Sequence, residues 1–312
     1  MLDISVIIVS WNAKQHLINC LKSILDTVDG YSQEIIVVDN ASFDGSPDAV
    51  ISQFPQVTVI RNKENLGFGR ANNIAIRMSK GRYICLVNSD VIVLKDCIKK
   101  LITFMDSHQD AGMVGPKILN PDGSLQPQCR YFPTIWNSLC QVLNLSGLFP
   151  KSAFFSEPFM KHWTYDETRK VDVLSGCFWL VRREALDEVG LLDEDFFIYG
   201  EDVDWCKRFH DAGWDVVFYH SAEAIHFGGA SADNAPIRFY LEMHKADLQY
   251  WRKHHSQLGH AIYRTIILLR QSIRLPVYML IYIFRPSMRS NAIFKLKRAL
   301  ACIGWIFGLR KI

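Results

Sequence analysis

Four apolar, β-branched runs alternate with stretches of helical periodicity over residues 4–90, and this alternation restricts the fold more than any other feature of the chain. The runs are "ISVIIVSWN" at 4–12, "EIIVVDN" at 34–40, "VTVI" at 57–60 and "YICLVNSD" at 83–90. Unbroken apolar runs, unlike strictly alternating ones, mark strands buried on both faces. Between the first two, Leu17, Ile18, Leu21, Ile24 and Leu25 recur at helical spacing over 14–25. A helix is expected over 46–54, and "GRANNIAIRMSKG" at 69–81 reads as another that closes on Gly81. The pattern predicts an α/β chain, with a Rossmann-like, mostly parallel sheet flanked by helices.

Each predicted strand ends in polar residues: Ser10, Trp11 and Asn12; Asp39 and Asn40; Asn62; Asn88, Ser89 and Asp90. Such residues can simply begin loops. In open α/β sheets, however, ligands bind beyond the carboxyl ends of the strands. Aspartate at the end of two of the most apolar strands points to a shared ligand site. A dinucleotide-binding dehydrogenase is disfavoured, because "SWNAKQ" after the first strand carries no glycine fingerprint. "NLGFGRANN" at 65–73 is glycine-containing but has neither G-x-G-x-x-G nor Walker spacing.

From about Gly112 the alternation weakens. "NPDGS" at 120–124 is a turn signal between short extended segments. Residues 134–170 are aromatic and irregular, a mobile or partner-facing region, and "VDVLSGCFWLVRREAL" at 171–186 resumes strand character. Then "IYGEDVDWCKRFHDAGW" at 198–214 crowds Glu201, Asp202 and Asp204 behind Gly200 and beside Trp205. Acidic residues favour the positive end of a helix dipole. The same crowd would equally serve as a catalytic carboxylate beside a substrate platform.

The net charge of +3 conceals two unlike parts. Beyond Asp247 there is no Asp or Glu, whereas Lys and Arg number twelve; residues 1–247 carry a net −9. In the tail, "LPVYMLIYIF" at 275–284 is ten apolar residues between Arg274 and Arg285, too short to span a bilayer. Basic and bulky apolar residues interleave to the end of the chain. A basic amphipathic helical region of this kind suits the surface of an anionic membrane. A homo-oligomer surface is the alternative, and nucleic acid is disfavoured because apolar runs accompany the charge. Eight cysteines form no C-x-x-C pair and sit mostly in apolar segments, and no leader-like segment precedes Ile4. Both suit a reducing cytoplasmic location, peripheral on the inner face of the membrane.

Together, "SVIIVSWN", "IIVVDNASFDGS", "NLGFGRANNIAI", "LVNSD", "LSGCFWLVRREAL", "GLLDEDFFIYGEDVDWCKRFHDAGW" and "HFGGAS" occur in an order that resembles the family 2 inverting glycosyltransferases, over roughly residues 3–230. The resemblance is greatest to a rhamnosyltransferase-like branch that builds bacterial surface polysaccharides. It implies a GT-A fold over 1–235, with a nucleotide-sugar-binding half at 1–118 and an acceptor-binding half at 119–235, followed by the basic helical region 236–312. It implies transfer of a sugar, rhamnose as the best guess, from a dTDP- or UDP-linked donor to a polyprenyl-diphosphate-linked or glycan acceptor.

Inverting transfer is one displacement at the anomeric carbon, needing a base for the acceptor hydroxyl and an electrophile for the departing diphosphate. Asp202 of "GEDVDW" matches the family's base, and Glu201 is expected to raise its pKa or to orient the acceptor. Asp204 is assigned to the helix start. Asp90 matches the last aspartate of the metal-binding strand end, although Asn88 and Ser89 replace the double-aspartate pattern. His226, before Gly228 and Gly229, matches a histidine that completes the coordination of Mg²⁺ or Mn²⁺. Asp39 matches the acceptor of a pyrimidine N3–H; Ser10, Trp11, Asn12, Asn40, Asn65, Gly67, Arg70, Asn88 and Ser89 are expected around the same nucleotide-sugar pocket, Arg70 near the diphosphate. Trp205, with Gly176, offers an acceptor surface, or else packs in the core. A non-catalytic nucleotide-sugar- or glycan-binding subunit is the competing function.

Overall fold

The computed structural model describes residues 2–28, 30–155, 158–160, 163–228 and 235–311. It begins with β1 (Leu2–Ser10), α1 (Lys14–Leu25), β2 (Gln33–Asp39), α2 (Ser46–Gln53), β3 (Thr58–Arg61), α3 (Phe68–Met78) and β4 (Gly81–Asn88). Next come β5 (Val91–Val93), α4 (Cys97–Ser107), β6 (Ala111–Leu119), β7 (Cys129–Arg130), α5 (Ile135–Val142) and α6 (Leu145–Leu148). They are followed by β8 (Arg169–Lys170), β9 (Val173–Leu174), β10 (Phe178–Arg182), α7 (Arg183–Val189), α8 (Glu201–Asp211) and β11 (Asp215–His226). The chain closes with α9 (Pro236–His254), α10 (Gln257–Phe284) and α11 (Arg289–Ile306).

Two units are formed, Met1–Phe132 with Phe159–Ser231 and Pro133–Pro158 with Ala232–Ile312. In the first, the sheet order among the described residues is β3-β2-β1-β4-β10-β6-β11-β5, with β8 also pairing β11. β3, β2, β1 and β4 are mutually parallel. Ile4, Val6 and Ile8 of β1 and Ile35 and Val37 of β2 pack in one core with Leu17, Leu21 and Ile24 of α1. Ile7, Ile36 and Val38, on the opposite face of the same strands, are also buried. Burial on both faces is why these runs are continuous rather than alternating.

Two local expectations are corrected. The third helix ends at Met78, with Ser79 already extended, and Gly81 opens β4 instead of closing the helix. A Cβ on Gly81 would lie 2.4 Å from the Ser5 nitrogen, so the strand–strand approach demands glycine. The run 171–186 breaks into β9, β10 and the start of α7. β10 is antiparallel and lies between β4 and β6, with all five residues buried. Its last residue, Arg182, is tolerated there because its guanidinium donates to the carbonyls of Ala111, Met105 and His108.

In the second unit, Tyr240 and Leu241 of α9, Ile267 of α10 and Ala301, Cys302 and Ile306 of α11 share a small core. Residues 133–158 cluster here, and Arg270 of α10 donates to the Gln141 side chain of α5. The ten-residue apolar run is the end of a continuous 28-residue helix that contains Pro276. At 1.5 Å per residue α10 is about 42 Å long. By length and composition it could cross a membrane, so the expectation that the tail is too short does not hold. Ile262, Leu269, Ile273, Val277, Leu280 and Phe284 form an exposed stripe at helical spacing along it.

Candidate active site

The strand ends β1, β2 and β4 bring the predicted donor-side residues to one edge of the sheet, because Ser10 pairs with Asp39 and Val9 with Asn88 in register. Ser10 is fully buried and its hydroxyl oxygen has no partner. Asp39 is also buried. One of its carboxylate oxygens accepts from the Ser42 amide at 3.1 Å, and the other, Oδ1, is buried without a partner. An unpartnered buried carboxylate oxygen at a strand end is suited to accept one ligand N–H. Asn12 has left the strand with a positive φ of 52°, and its side chain accepts from the Phe43 amide, tying the first strand end to the second.

Four predicted donor-side residues are engaged by other protein groups. Asn40 donates to the Asn65 side chain and the Gly67 carbonyl, and its oxygen accepts from Leu66 N and the Asn62 side chain. With its amide fully used, it braces the loop from Asn62 to Gly67. Asn65 accepts from Asn40 and from the Gly67 amide, so it belongs to the same brace. Gly67 has φ +83°, and a Cβ there would meet the Phe197 carbonyl at 2.3 Å. Arg70 is directed to Glu194 at 3.2 Å, which Arg77 and Asn73 also bind. An acidic partner from the "LLDEDFF" stretch thus holds Arg70.

Topology explains how Asp90 and His226 meet. The turn after β4 leads into β5, which pairs antiparallel with the end of β11 so that Val91 lies opposite His226. His226 Nε2 stands 3.3 Å from Asp90 Oδ1. The Gly228 amide donates to Asp90 Oδ2 at 3.1 Å and the Phe227 amide to the Asp90 carbonyl. Burial pushes the Asp90 carboxyl up, and a protonated His226, through its hydrogen bond and charge, draws it below the ordinary carboxylate value; a neutral ring with its lone pair on Nε2 would leave that place to a cation. One oxygen and one nitrogen donor suit Mg²⁺ or Mn²⁺. No group of three His, Cys, Asp or Glu gathers among the described residues, so a cation here would take its further ligands from water or substrate.

The acidic crowd separates into three roles. Tyr199 and Gly200 both have positive φ, 68° and 78°, a sharp entry that places Glu201 and Asp202 in the first turn of α8. Asp204 is fully buried and pairs with Arg208 at 2.9 Å, which also binds the carbonyls of Val189 and Leu191. Its place is structural, as expected. Glu201 is buried with Oε2 unpartnered; burial first and Asp202 second push its pKa up to about 8. Asp202 accepts from the Val203 amide through one oxygen and pairs with Arg130 through the other.

Trp205 is not a sugar platform. It is fully buried between Trp179 and Phe209, and its indole N–H donates to the Gly190 carbonyl. Gly176 abuts the same cluster: a Cβ there would lie 2.6 Å from the Trp179 ring. Packing fixes both residues. The site also contains residues that the sequence reading missed. Gln126, Gln128 and Arg130 occupy alternate positions; Gln126 reaches His226, Gln128 reaches Pro116 and Cys177, and Arg130 reaches Asp202. Their period of two in "LQPQCR" was the available signal.

With the site described, comparison with known proteins is decisive. Residues 5–190 match the family described as glycosyl transferase family 2. The chain belongs to that family. This family 2 glycosyltransferase is 30% identical, over 94% of its length and 96% of the relative's, to the N-acetylglucosaminyl-diphospho-decaprenol L-rhamnosyltransferase of Mycobacterium tuberculosis. It is 27% identical to the dTDP-rhamnosyl transferase RfbF of Shigella flexneri, covering 98% of this chain and 96% of that one. Among solved structures, the mannosyltransferase PcManGT from Pyrobaculum calidifontis in complex with GDP-Man and Mn²⁺ is similar, with TM-score 0.55 and 15% identity, over 100% of this chain and 76% of that chain. S. aureus TarS 1–349 in complex with UDP gives TM-score 0.53 at 15% identity, covering 98% and 92%. These structures bear on the fold, which is GT-A. The chain is a glycosyltransferase, and the two curated relatives it resembles over nearly their whole length are named as rhamnosyltransferases.

Proposed function

We propose that this enzyme transfers L-rhamnose from dTDP-rhamnose to a sugar carried on a polyprenyl diphosphate, with inversion, in the synthesis of a bacterial cell-surface glycan. The observation that carries the reading is the Asp202 carboxylate, nearly buried in the first turn of α8 and oriented by Val203 N and Arg130. Asp202 takes the proton of the acceptor hydroxyl as that oxygen attacks the anomeric carbon. Arg130 pairs with one Asp202 oxygen and fixes the orientation of the carboxylate. Asp39 Oδ1 accepts the N3–H of a thymine or uracil. Asp90 and His226 hold a divalent cation, which supplies charge stabilisation for the departing diphosphate. Support for the donor and the acceptor comes from the two rhamnosyltransferase relatives. In a panel of nucleotide sugars with Mn²⁺, dTDP-rhamnose is expected to raise Tm the most, since a ligand of the folded state stabilises by mass action. Asp39→Ala should abolish that shift. Equal shifts from purine and pyrimidine donors would contradict the assignment.

The lipid-linked acceptor requires the enzyme at the membrane. The basic tail, with twelve Lys and Arg and no acid after Asp247, and the apolar stripe on α10 support docking on the cytoplasmic face of an anionic bilayer. Each basic residue near such a surface contributes about 1 kcal/mol. The full chain is expected to float with anionic liposomes and to resist salt in part, whereas replacing Ile273, Val277 and Leu280 together by serine should remove the salt-resistant fraction. If the wild-type chain ignores anionic liposomes, the tail is an oligomer surface instead.

A further inference from the structure

The "NPDGS" turn has no part in the chemistry assigned so far, yet its hydrogen bonds lead to His226. Asp122 Oδ1 accepts from both the amide and the hydroxyl of Ser124, at 2.9 and 2.6 Å. The amide group of Asn120 donates to Ser124 Oγ at 2.9 Å and to the Leu125 carbonyl at 3.3 Å. That leaves Asn120 Oδ1 to accept from Gln126 Nε2 at 2.8 Å. Gln126 Nε2 donates also to the His226 carbonyl, at 3.2 Å. Its oxygen therefore faces His226 Nδ1, at 2.6 Å.

The polarity of this chain has one direction. A carboxylate and backbone carbonyls accept and cannot donate, so they orient both side-chain amides. Gln126 Oε1 can then only accept, and the hydrogen between it and the ring must sit on Nδ1. In the neutral imidazole the lone pair is left on Nε2, the nitrogen 3.3 Å from Asp90 Oδ1. Two acceptors facing each other at that distance suit an intervening cation.

We propose that Gln126, set by the Asn120 turn, is a positioning residue that fixes the Nδ1–H tautomer of His226 and so presents Nε2 to the cation shared with Asp90. The proposal rests on the reading of Asp90 and His226 as the cation pair. Residues that orient a metal-binding histidine in this way typically govern affinity by roughly ten- to a hundredfold.

Long-range ¹H–¹⁵N spectra of the metal-free full chain at alkaline pH, where the imidazole is neutral, with ¹⁵N-labelled histidine and assigned with His226→Asn, read the tautomer directly. The Nδ1–H form is expected for the wild type and for Gln126→Glu, which keeps an acceptor in place, and a mixture for Gln126→Leu. Titration of Mn²⁺ with UDP present, followed by electron paramagnetic resonance of the free ion, should show Gln126→Leu weakened about ten- to a hundredfold. Gln126→Glu should recover most of that loss. An Nε2–H ring in the wild type, or wild-type Mn²⁺ affinity in Gln126→Leu, would overturn the proposal. Wild-type affinity in Asp90→Asn would overturn the cation reading and the proposal with it; the tautomer spectrum distinguishes that case from a failure of Gln126 alone.

Discussion

Asp202→Asn is expected to lower turnover roughly 10²–10⁴-fold while donor binding changes little, since proton transfer by a positioned base contributes that much. Asparagine keeps the size of the side chain and the hydrogen bond from Val203 N, which is 2.8 Å from Asp202 Oδ1. It cannot take a proton. The loss should therefore appear in kcat, with the dissociation constant for the nucleotide sugar within a few-fold of wild type. Glu201 beside it is also buried, and burial pushes its carboxyl above the ordinary carboxylate range, which disfavours the ionised form a base needs. A variant with near wild-type turnover would remove Asp202 from the role of base.

Removing the cation should have an effect of the same order. Stabilising the charge of the leaving diphosphate is worth several kcal/mol, so exhaustive chelation is expected to reduce transfer by roughly 10³-fold. Mn²⁺ or Mg²⁺ should restore it. Asp90→Asn should require far more metal for the same rate, because His226 alone would then hold the ion. Undiminished transfer in chelator would mean that the contact between Asp90 and His226 is a structural ion pair.

β1, β2 and β4 were legible because they are buried on both faces and their residues say so, whereas β3, at the sheet edge, has no buried residue and does not share that burial. β10 was not, since an antiparallel strand inserted between β4 and β6 has the same apolar composition as a parallel one, and only pairing sets its direction. Asp39, Asp90 and Asp202 could be picked out by residue type at strand ends and at a helix start, whereas His226 stood out only through the family resemblance. Trp205 misled because an indole serves a core and a sugar face equally well, and burial decides between them. Arg130 and Gln126 lay outside the reading because their partners, Asp202 and His226, are distant in sequence.

The most direct measurement is a transfer reaction with the whole 312-residue chain, dTDP-β-L-rhamnose, Mn²⁺ and a polyprenyl-diphosphate-linked N-acetylglucosamine in anionic vesicles, with dTDP and lipid product quantified together and the new anomeric centre read by NMR. The predicted result is one dTDP released per rhamnosylated lipid, an inverted α-linkage, and loss of both products in Asp202→Asn. Donor binding without any dTDP release in the presence of acceptor would contradict catalysis and favour a nucleotide-sugar-binding subunit.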